Sequence, residues 1–317
     1  MKKILLLAGI LGIFCTNRAE AQQIAQFSQY MFNGIYINPA YAGYKDMFYG
    51  HMVYRKQWVG IDGSPQTTML SVDGNLSKGS NIGFVYTNDQ IGAIYTNSIM
   101  VDYAYRIKVS ESGRLSFGLS AGMVHHGLNR SKLSEEQSDQ LAADSKNVWK
   151  PGFDAGLYFD TKNFYAGFSI VGIVANKRAD KNSFEVIRTD ENYFLTLGGI
   201  IPLNEKLKLL PSTLLKTDLK NPLTFDINAM LMISDRFGIG GSYRTGVLWF
   251  TDVKDNTKQR DALSLISEIY VTDRIRLGMA YDFDLNKVTT GTNGSFEISL
   301  GYYFTKNKQK YATPRYF

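Results

Sequence analysis

The 317-residue chain reads as all-β: a transmembrane antiparallel β-barrel of about 14 strands, of the outer-membrane type. Three observations lead there. In thirteen of fourteen candidate strands one face carries no charged residue, and the ions gather on the other. The segments are long for a globular sheet and have aromatics near their ends. Their connections alternate between short turns and longer polar loops. A soluble sandwich shares the alternation of faces, because successive strand residues point to opposite sides. It does not share the whole combination, which fits hydrocarbon outside and water or polar side chains within.

The first element is an export signal, residues 1–21. Lys2 and Lys3 start it, Ile4 to Phe14 form its apolar stretch, and Ala19-Glu20-Ala21 offers a small-x-small site for cleavage after Ala21. The apolar stretch is too short to span a bilayer, and no later segment approaches a transmembrane helix. An exported chain of this kind enters a membrane only by closing its backbone into a barrel. Alternate apolar positions then account for a mean hydropathy of only −0.18. Cys15, the sole cysteine, falls within the signal, and Phe14 is not the small residue expected ahead of a lipidated cysteine. The mature chain, starting at Gln22, thus offers no disulfide, thiolate ligand or thiol nucleophile. Taking Lys2, Lys3, Arg18 and Glu20 from 35 basic and 29 acidic residues leaves 32 against 28, a formal +4. Without a concentrated basic face, nucleic acid is excluded as a partner.

Residues 22–46 come next, rich in Gln, Asn, Tyr and Phe and nearly free of charge. A passive leader is one reading. An ordered plug or docking segment is the other, favoured by Phe27, Tyr30, Met31 and Phe32, which need burial.

The barrel is expected over 47–304, with strands at 47–57, 67–76, 81–88, 94–107, 114–125, 151–160, 164–172, 193–201, 206–217, 223–233, 237–244, 262–271, 274–282 and 295–304. On the lipid side of strands two to fourteen no position is charged, as in Leu115, Phe117, Leu119, Ala121 and Met123. A Lys or Arg there would cost about 2–4 kcal/mol near the midplane, so the segregation has an adequate cause. The inward set holds Asp73, Asp102, Arg106, Asp154, Lys208, Lys216, Asp226, Arg244, Glu268, Arg276, Asp282 and Glu297. Mixed signs in comparable numbers predict paired charges more than an ion-selective pore. Two segments fit poorly. The first strand has no clean apolar face, with His51 and Arg55 on one side and Lys56 on the other. Pro211 falls inside a strand, where it cannot donate to the ladder and should mark a bulge or break. Short turns on one side and longer loops on the other place both termini in the periplasm.

The last element, 305–317, is a periplasmic tail. Its terminal Phe317 serves either as an insertion signal for barrels or as a partner contact.

No constellation for catalysis stands out. His51, His125 and His126 are the only imidazoles, and the adjacent pair faces opposite sides of a strand, so it cannot chelate one metal. No serine is tied to a base, and no Gly-rich loop opens a helix. No enzyme, cofactor or metal is expected. Strand glycines such as Gly118, Gly122, Gly152 and Gly156 are expected to relieve crowding inside the barrel.

Gln26-Phe27-Ser28-Gln29-Tyr30-Met31-Phe32-Asn33, followed by Ile37-Asn38-Pro39-Ala40-Tyr41-Ala42-Gly43, resembles the opening signature of the PorP/SprF family of the Bacteroidetes type IX secretion and gliding system. Weaker matches follow in order: Arg55-Lys56-Gln57-Trp58, Gly63-Ser64-Pro65-Gln66-Thr67, Pro211-Ser212 with Lys216, Tyr243-Arg244, Asp261-Ala262-Leu263-Ser264, Tyr281-Asp282 and Glu297-Ile298-Ser299-Leu300. Two features depart from the family pattern. Phe296 stands where the family often has His, and the Thr245–Arg260 connection is longer than usual. The resemblance implies a non-enzymatic outer-membrane barrel. Its partners would be lipid, periplasmic lipoproteins of the machine, and a secreted, adhesin-like substrate with a C-terminal sorting domain. It nominates Phe27, Tyr30, Phe32, Asn33, Asn38, Pro39, Tyr41, Arg55, Trp58, Arg315 and Phe317 as partner-binding residues. Gln22–Gly43 and Tyr311–Phe317 would form the periplasmic docking face. The rival readings are a small-solute porin and an outer-membrane hydrolase.

Overall fold

A computed structural model describes residues 24–129, 132, 147–173, 191–247, 260–285 and 291–304. They form a closed antiparallel barrel of fourteen strands. In chain order these are β1 Tyr49–Lys56, β2 Gln66–Ser77, β3 Ser80–Ile91, β4 Ile94–Lys108, β5 Arg114–Leu128, β6 Val148–Asp160 and β7 Phe164–Val171. There follow β8 Asn192–Gly199 with a continuation at Ile201–Pro202, β9 Leu207–Thr217, β10 Leu223–Ile233, β11 Phe237–Val247, β12 Arg260–Tyr270, β13 Ile275–Asp284 and β14 Ser295–Tyr303. Every strand pairs with its sequence neighbours, and β1 closes the ring on β14 with Tyr49 opposite Tyr303 and Arg55 opposite Glu297. Closure leaves no sheet edge to face lipid, which is the condition for backbone in hydrocarbon.

The period-two pattern sets the faces. Leu119, Met279 and Leu265 are 67%, 58% and 53% exposed and point outward, whereas their neighbours in sequence point to the axis. Ten of the twelve inward ions predicted from sequence are buried; Asp154 and Lys208 are half-buried. β1 is explained by what lies beneath it. Tyr49, His51, Val53 and Arg55 face inward and are all buried, while Gly50, Met52, Tyr54 and Lys56 face out, Lys56 at the very end of the strand.

Pro211 interrupts one ladder and not the other. It stays in register with Ala229 of β10, but β8 breaks at Ile200 between the pairs Ser212–Gly198 and Leu209–Ile201. A ring nitrogen has no hydrogen to donate, and Ile200 instead donates its N–H to Asn163 O at 2.9 Å. The register is unchanged across the gap, so this is a break and not a bulge.

Strand ends differ from the sequence reading at the loop-bearing mouth: β3 runs to Ile91, β5 to Leu128, and β6 starts at Val148. One outer connection is consequently only Gly92–Ala93, against the longer loops expected there. Residues 1–21, where an export signal is expected, the 305–317 segment and residues 248–259 of the Thr245–Arg260 connection lie outside the described residues.

Candidate functional site

The segment before β1 runs through the lumen. From Ile24 it makes three short 3-10 turns, Tyr30–Phe32, Gly34–Tyr36 and Pro39–Tyr41, before reaching β1. Asn38 starts the last of these, accepting a hydrogen bond at Oδ1 from Ala40 N at 2.9 Å with Pro39 at the first helical position. Such turns suit a strip with almost no ion and many side chains to bury. Phe27, Tyr30, Met31, Phe32, Ile35, Ile37, Tyr41 and Tyr44 are all buried against inward faces of the wall.

Two wall glycines make the fit possible. A Cβ on Gly118 of β5 would lie 2.1 Å from Ala40 N, and one on Gly156 of β6 would lie 2.0 Å from Asn38 Oδ1. The crowding these glycines relieve is therefore that of the enclosed segment. Asn38 Nδ2 donates to Leu157 O at 2.9 Å and to Phe168 O at 3.3 Å, and Asn228 Nδ2 donates to Tyr30 Oη at 2.7 Å. Tyr41, Tyr44, Tyr158 and Tyr165 form an aromatic cluster where segment and wall meet.

The two ends are held differently. At the loop-bearing mouth, both oxygens of the Glu297 carboxylate accept backbone N–H groups, from Ser28 and Gln29. Ser28 Oγ donates to Asp282 Oδ2 at 2.8 Å, and Gln26 Nε2 to Asp226 Oδ2 at 2.9 Å. Behind them Arg55 pairs with Asp282 at 2.7 Å and with Glu297, and Arg244 pairs with Asp226 at 2.8 Å. At the short-turn mouth the contacts are ionic: Asp46 takes Arg114 at 2.7 Å and Arg106 at 3.1 Å, and Gly43 N donates to Asp73 Oδ2 at 2.8 Å. Lys45 is buried there with its ammonium 4.6 Å from the centre of the Tyr49 ring. Burial and the Arg276 guanidinium push its pKa down to about 7, against the opposing pull of Asp73 and Glu268.

Nine of the eleven residues nominated from sequence lie among the described residues. Phe27, Tyr30, Phe32, Asn33, Asn38, Pro39 and Tyr41 are enclosed in the lumen, and the docking face expected for Gln22–Gly43 gives way, from Ile24 onward, to an internal plug. The cause is their apolar surface, which the lumen covers and water would not. Arg55 is buried in its ion pairs. Trp58 lies exposed in the β1–β2 connection. Arg315 and Phe317 fall outside the described residues. His125 and His126 diverge as adjacent strand residues must: His125 stacks on Trp149 outside at 4.4 Å, and His126 meets Thr96 inside at 3.0 Å. Among the described residues no group of three or more His, Cys, Asp or Glu is placed to hold a metal.

Sequence reasoning left out Lys45 and the wall partners Ser71, Ser169, Asn228 and Ser299, which bond Asn33, Ile37, Tyr30 and Gln29 respectively. Their inward phase in the strand pattern was the available signal.

A family model for the type IX secretion system membrane protein PorP/SprF matches residues 19–302. The chain belongs to the PorP/SprF family. No curated protein matches this PorP/SprF chain by sequence. Among solved structures, a monoaromatic hydrocarbon channel, the TodX deltaS2S3 mutant, is similar with a TM-score of 0.51 at 11% identity, over 88% of this chain and 94% of that one. A FadL homologue from Pseudomonas aeruginosa gives 0.48 at 11% identity, covering 89% and 95%. Omp33 of Acinetobacter baumannii gives 0.45 at 9%, covering 81% and 98%. At 11% identity the likeness to the TodX mutant speaks to the fold, a β-barrel, and to nothing that protein carries.

Proposed function

We propose that this PorP/SprF barrel is a non-enzymatic outer-membrane component of the secretion and gliding machine. It assists secretion or surface attachment of a substrate bearing a C-terminal sorting domain, such as an adhesin, with periplasmic lipoproteins of the same machine as further partners. The family supplies the machine. The observation that carries the rest is the plug: residues 24–46 fill the lumen and are bonded to its wall at both mouths. A diffusion porin needs an open aqueous path, and this lumen is packed with the barrel's own chain. A component that acts through its loops, rim and tail does not. On this reading the export signal ends at Ala21, and Tyr311–Phe317 provides the periplasmic contact.

The experiment is removal of this gene in the native host, followed by proteomics of surface and medium. Loss of a sorting-domain protein from the surface, restored by the intact chain, is expected. An unchanged surface proteome, together with a large steady conductance of the intact barrel in planar bilayers, would replace this reading with the porin.

A further inference from the structure

We propose that the loop-mouth half of the lumen is a peptide-binding site, held at rest by residues 24–29 and open to an uncharged peptide from another chain. Four features of the site support it. Recognition runs mainly through the backbone: one carboxylate, Glu297, takes two successive N–H groups, and only Ser28 and Gln26 add side-chain bonds to wall acids. Any extended peptide offers the same N–H pair, and a hydroxyl side chain completes the match to Asp282.

Next, the wall's acids at this mouth do not depend on the occupant for their counter-ions. Arg55 with Asp282 and Glu297, and Arg244 with Asp226, are paired wall to wall. An uncharged peptide can leave without stranding a buried carboxylate, whereas a charged one would have to break these pairs; buried Lys216, which donates to Ile24 O at 2.9 Å, asks the incoming peptide for a carbonyl in the same place. The short-turn end is the opposite case, because Asp46 there is itself a partner of Arg106 and Arg114. The tethered end is thus ionic and the free end neutral.

Position makes the site reachable. Glu297 and Asp282 lie within three residues of the ends of β14 and β13 at the loop mouth, and Ile24, Ala25 and Gln26 are only half-buried. A second chain arriving from the loop side meets the clasp first, without disturbing Asp46.

Finally, the resident segment leaves part of the site unsatisfied. A cavity of about 20 Å³ between segment and wall is lined by Gln29, Asn33 and His51. Gln29 Nε2, Asn33 Oδ1 and His51 Nε2 have no hydrogen-bond partner among the described residues. Asn33 Nδ2 lies 3.2 Å from His51 Nδ1. The amide can only donate there, so the imidazole proton belongs on Nε2. With Gln29 part of the displaceable segment, the barrel keeps one donor and one acceptor here, His51 Nε2 and Asn33 Oδ1, that residues 24–29 leave unmet. A peptide that placed a hydroxyl there would meet groups that the resident leaves unpaired.

The test needs no exported protein, so it stands apart from the secretion reading. A barrel lacking residues 22–29, otherwise the full chain, is titrated in detergent with a dye-labelled peptide of sequence 22–29 by fluorescence anisotropy. Saturable one-to-one binding is expected, weakened about tenfold or more by Glu297→Gln, the scale of a lost charge-assisted pair of hydrogen bonds. A second measurement uses the intact chain, whose mature part has no cysteine. A thiol introduced by Gln26→Cys is labelled with a membrane-impermeant maleimide, with and without excess unlabelled peptide. Several-fold faster labelling with peptide supports exchange. Absence of saturable binding to a folded deletion barrel, binding indifferent to Glu297→Gln, or labelling unmoved by peptide would each overturn it. If the deletion barrel does not fold, the labelling experiment decides alone.

Discussion

Arg55 offers the sharpest perturbation of the plugged barrel. Its guanidinium joins Asp282 at 2.7 Å and Glu297, and its side chain and theirs are 4%, 2% and 0% exposed. Nη1 also donates to Ser28 Oγ at 3.2 Å, so one side chain ties β1, β13, β14 and the plug together. Arg55→Met keeps the length and the apolar stem but leaves two carboxylates close together in a dry site. Breaking a buried pair from one side costs about 3–5 kcal/mol, most of it for the charge left behind. The neighbouring Arg244, already paired with Asp226, moderates that cost and sets the expectation near the lower bound. Adding Glu297→Gln removes one of the stranded charges, so the double variant should be more stable than Arg55→Met alone. Unfolding by guanidinium chloride, followed by the gel mobility shift of heat-modifiable barrels, measures each corner of the cycle. Were Arg55 instead a surface contact for a partner, Arg55→Met would be stability-neutral and the cycle additive. A change under about 0.5 kcal/mol, the range of substitutions away from special features, would refute the buried-clasp account.

Three further outcomes follow from the same geometry. Gly118→Val puts a Cβ 2.1 Å from Ala40 N while favouring the strand, so an overpacking cost of about 1–3 kcal/mol should fall on the plug; the near-UV circular dichroism of the Tyr41–Tyr44–Tyr158–Tyr165 cluster should weaken, and an unchanged spectrum and melting point would contradict the contact. Lys45, lowered to about 7 from an ordinary 10.5 by burial and by Arg276, against the pull of Asp73 and Glu268, loses its proton in the docked state at lower pH than in a released one; docking should tighten as pH rises from about 7 to 10.5, and Lys45→Met should abolish that slope in a stability-against-pH series. Deleting 22–43 should turn a barrel with little steady conductance into one with large, long-lived steps in planar bilayers, whereas equal conductance before and after would mean the segment does not fill the pore.

The wall was legible in the sequence because hydrocarbon imposes a rule on every outward residue. Phe117, Leu119, Ile227 and Met279 obey the period of two, and that period alone fixes which ions face in. The plug was legible only in part. Phe27, Tyr30 and Phe32 announced a need for burial, but composition cannot say whether the cover is a partner or the chain's own barrel. That answer needed three-dimensional facts: glycines at 118 and 156 opposite Pro39, Ala40 and Asn38, and a carboxylate at 297 spaced to take the N–H groups of 28 and 29. The anchor at Lys45 and Asp46 was hidden for a related reason. Two adjacent ions before a strand look solvated in sequence, and only the positions of Arg106, Arg114, Asp73 and Tyr49 make them internal.

The lumen of this barrel is best understood as a protein core whose two halves come from one chain. In a water-filled channel, inward ions are solvated and need no partners. Here Arg276 is buried against the Phe32 ring at 4.3 Å, and Glu268 and Tyr49 complete its surroundings. A wall built this way requires an occupant, because removing it exposes Phe194, Leu214 and Met230 to water together with the ion pairs. The requirement is for apolar cover and backbone donors, both of which any suitable peptide can supply, and not for the particular sequence Gln26-Phe27-Ser28-Gln29. A wall that needs apolar cover and backbone donors, and little else of its occupant, has the chemistry that exchange of one peptide for another requires.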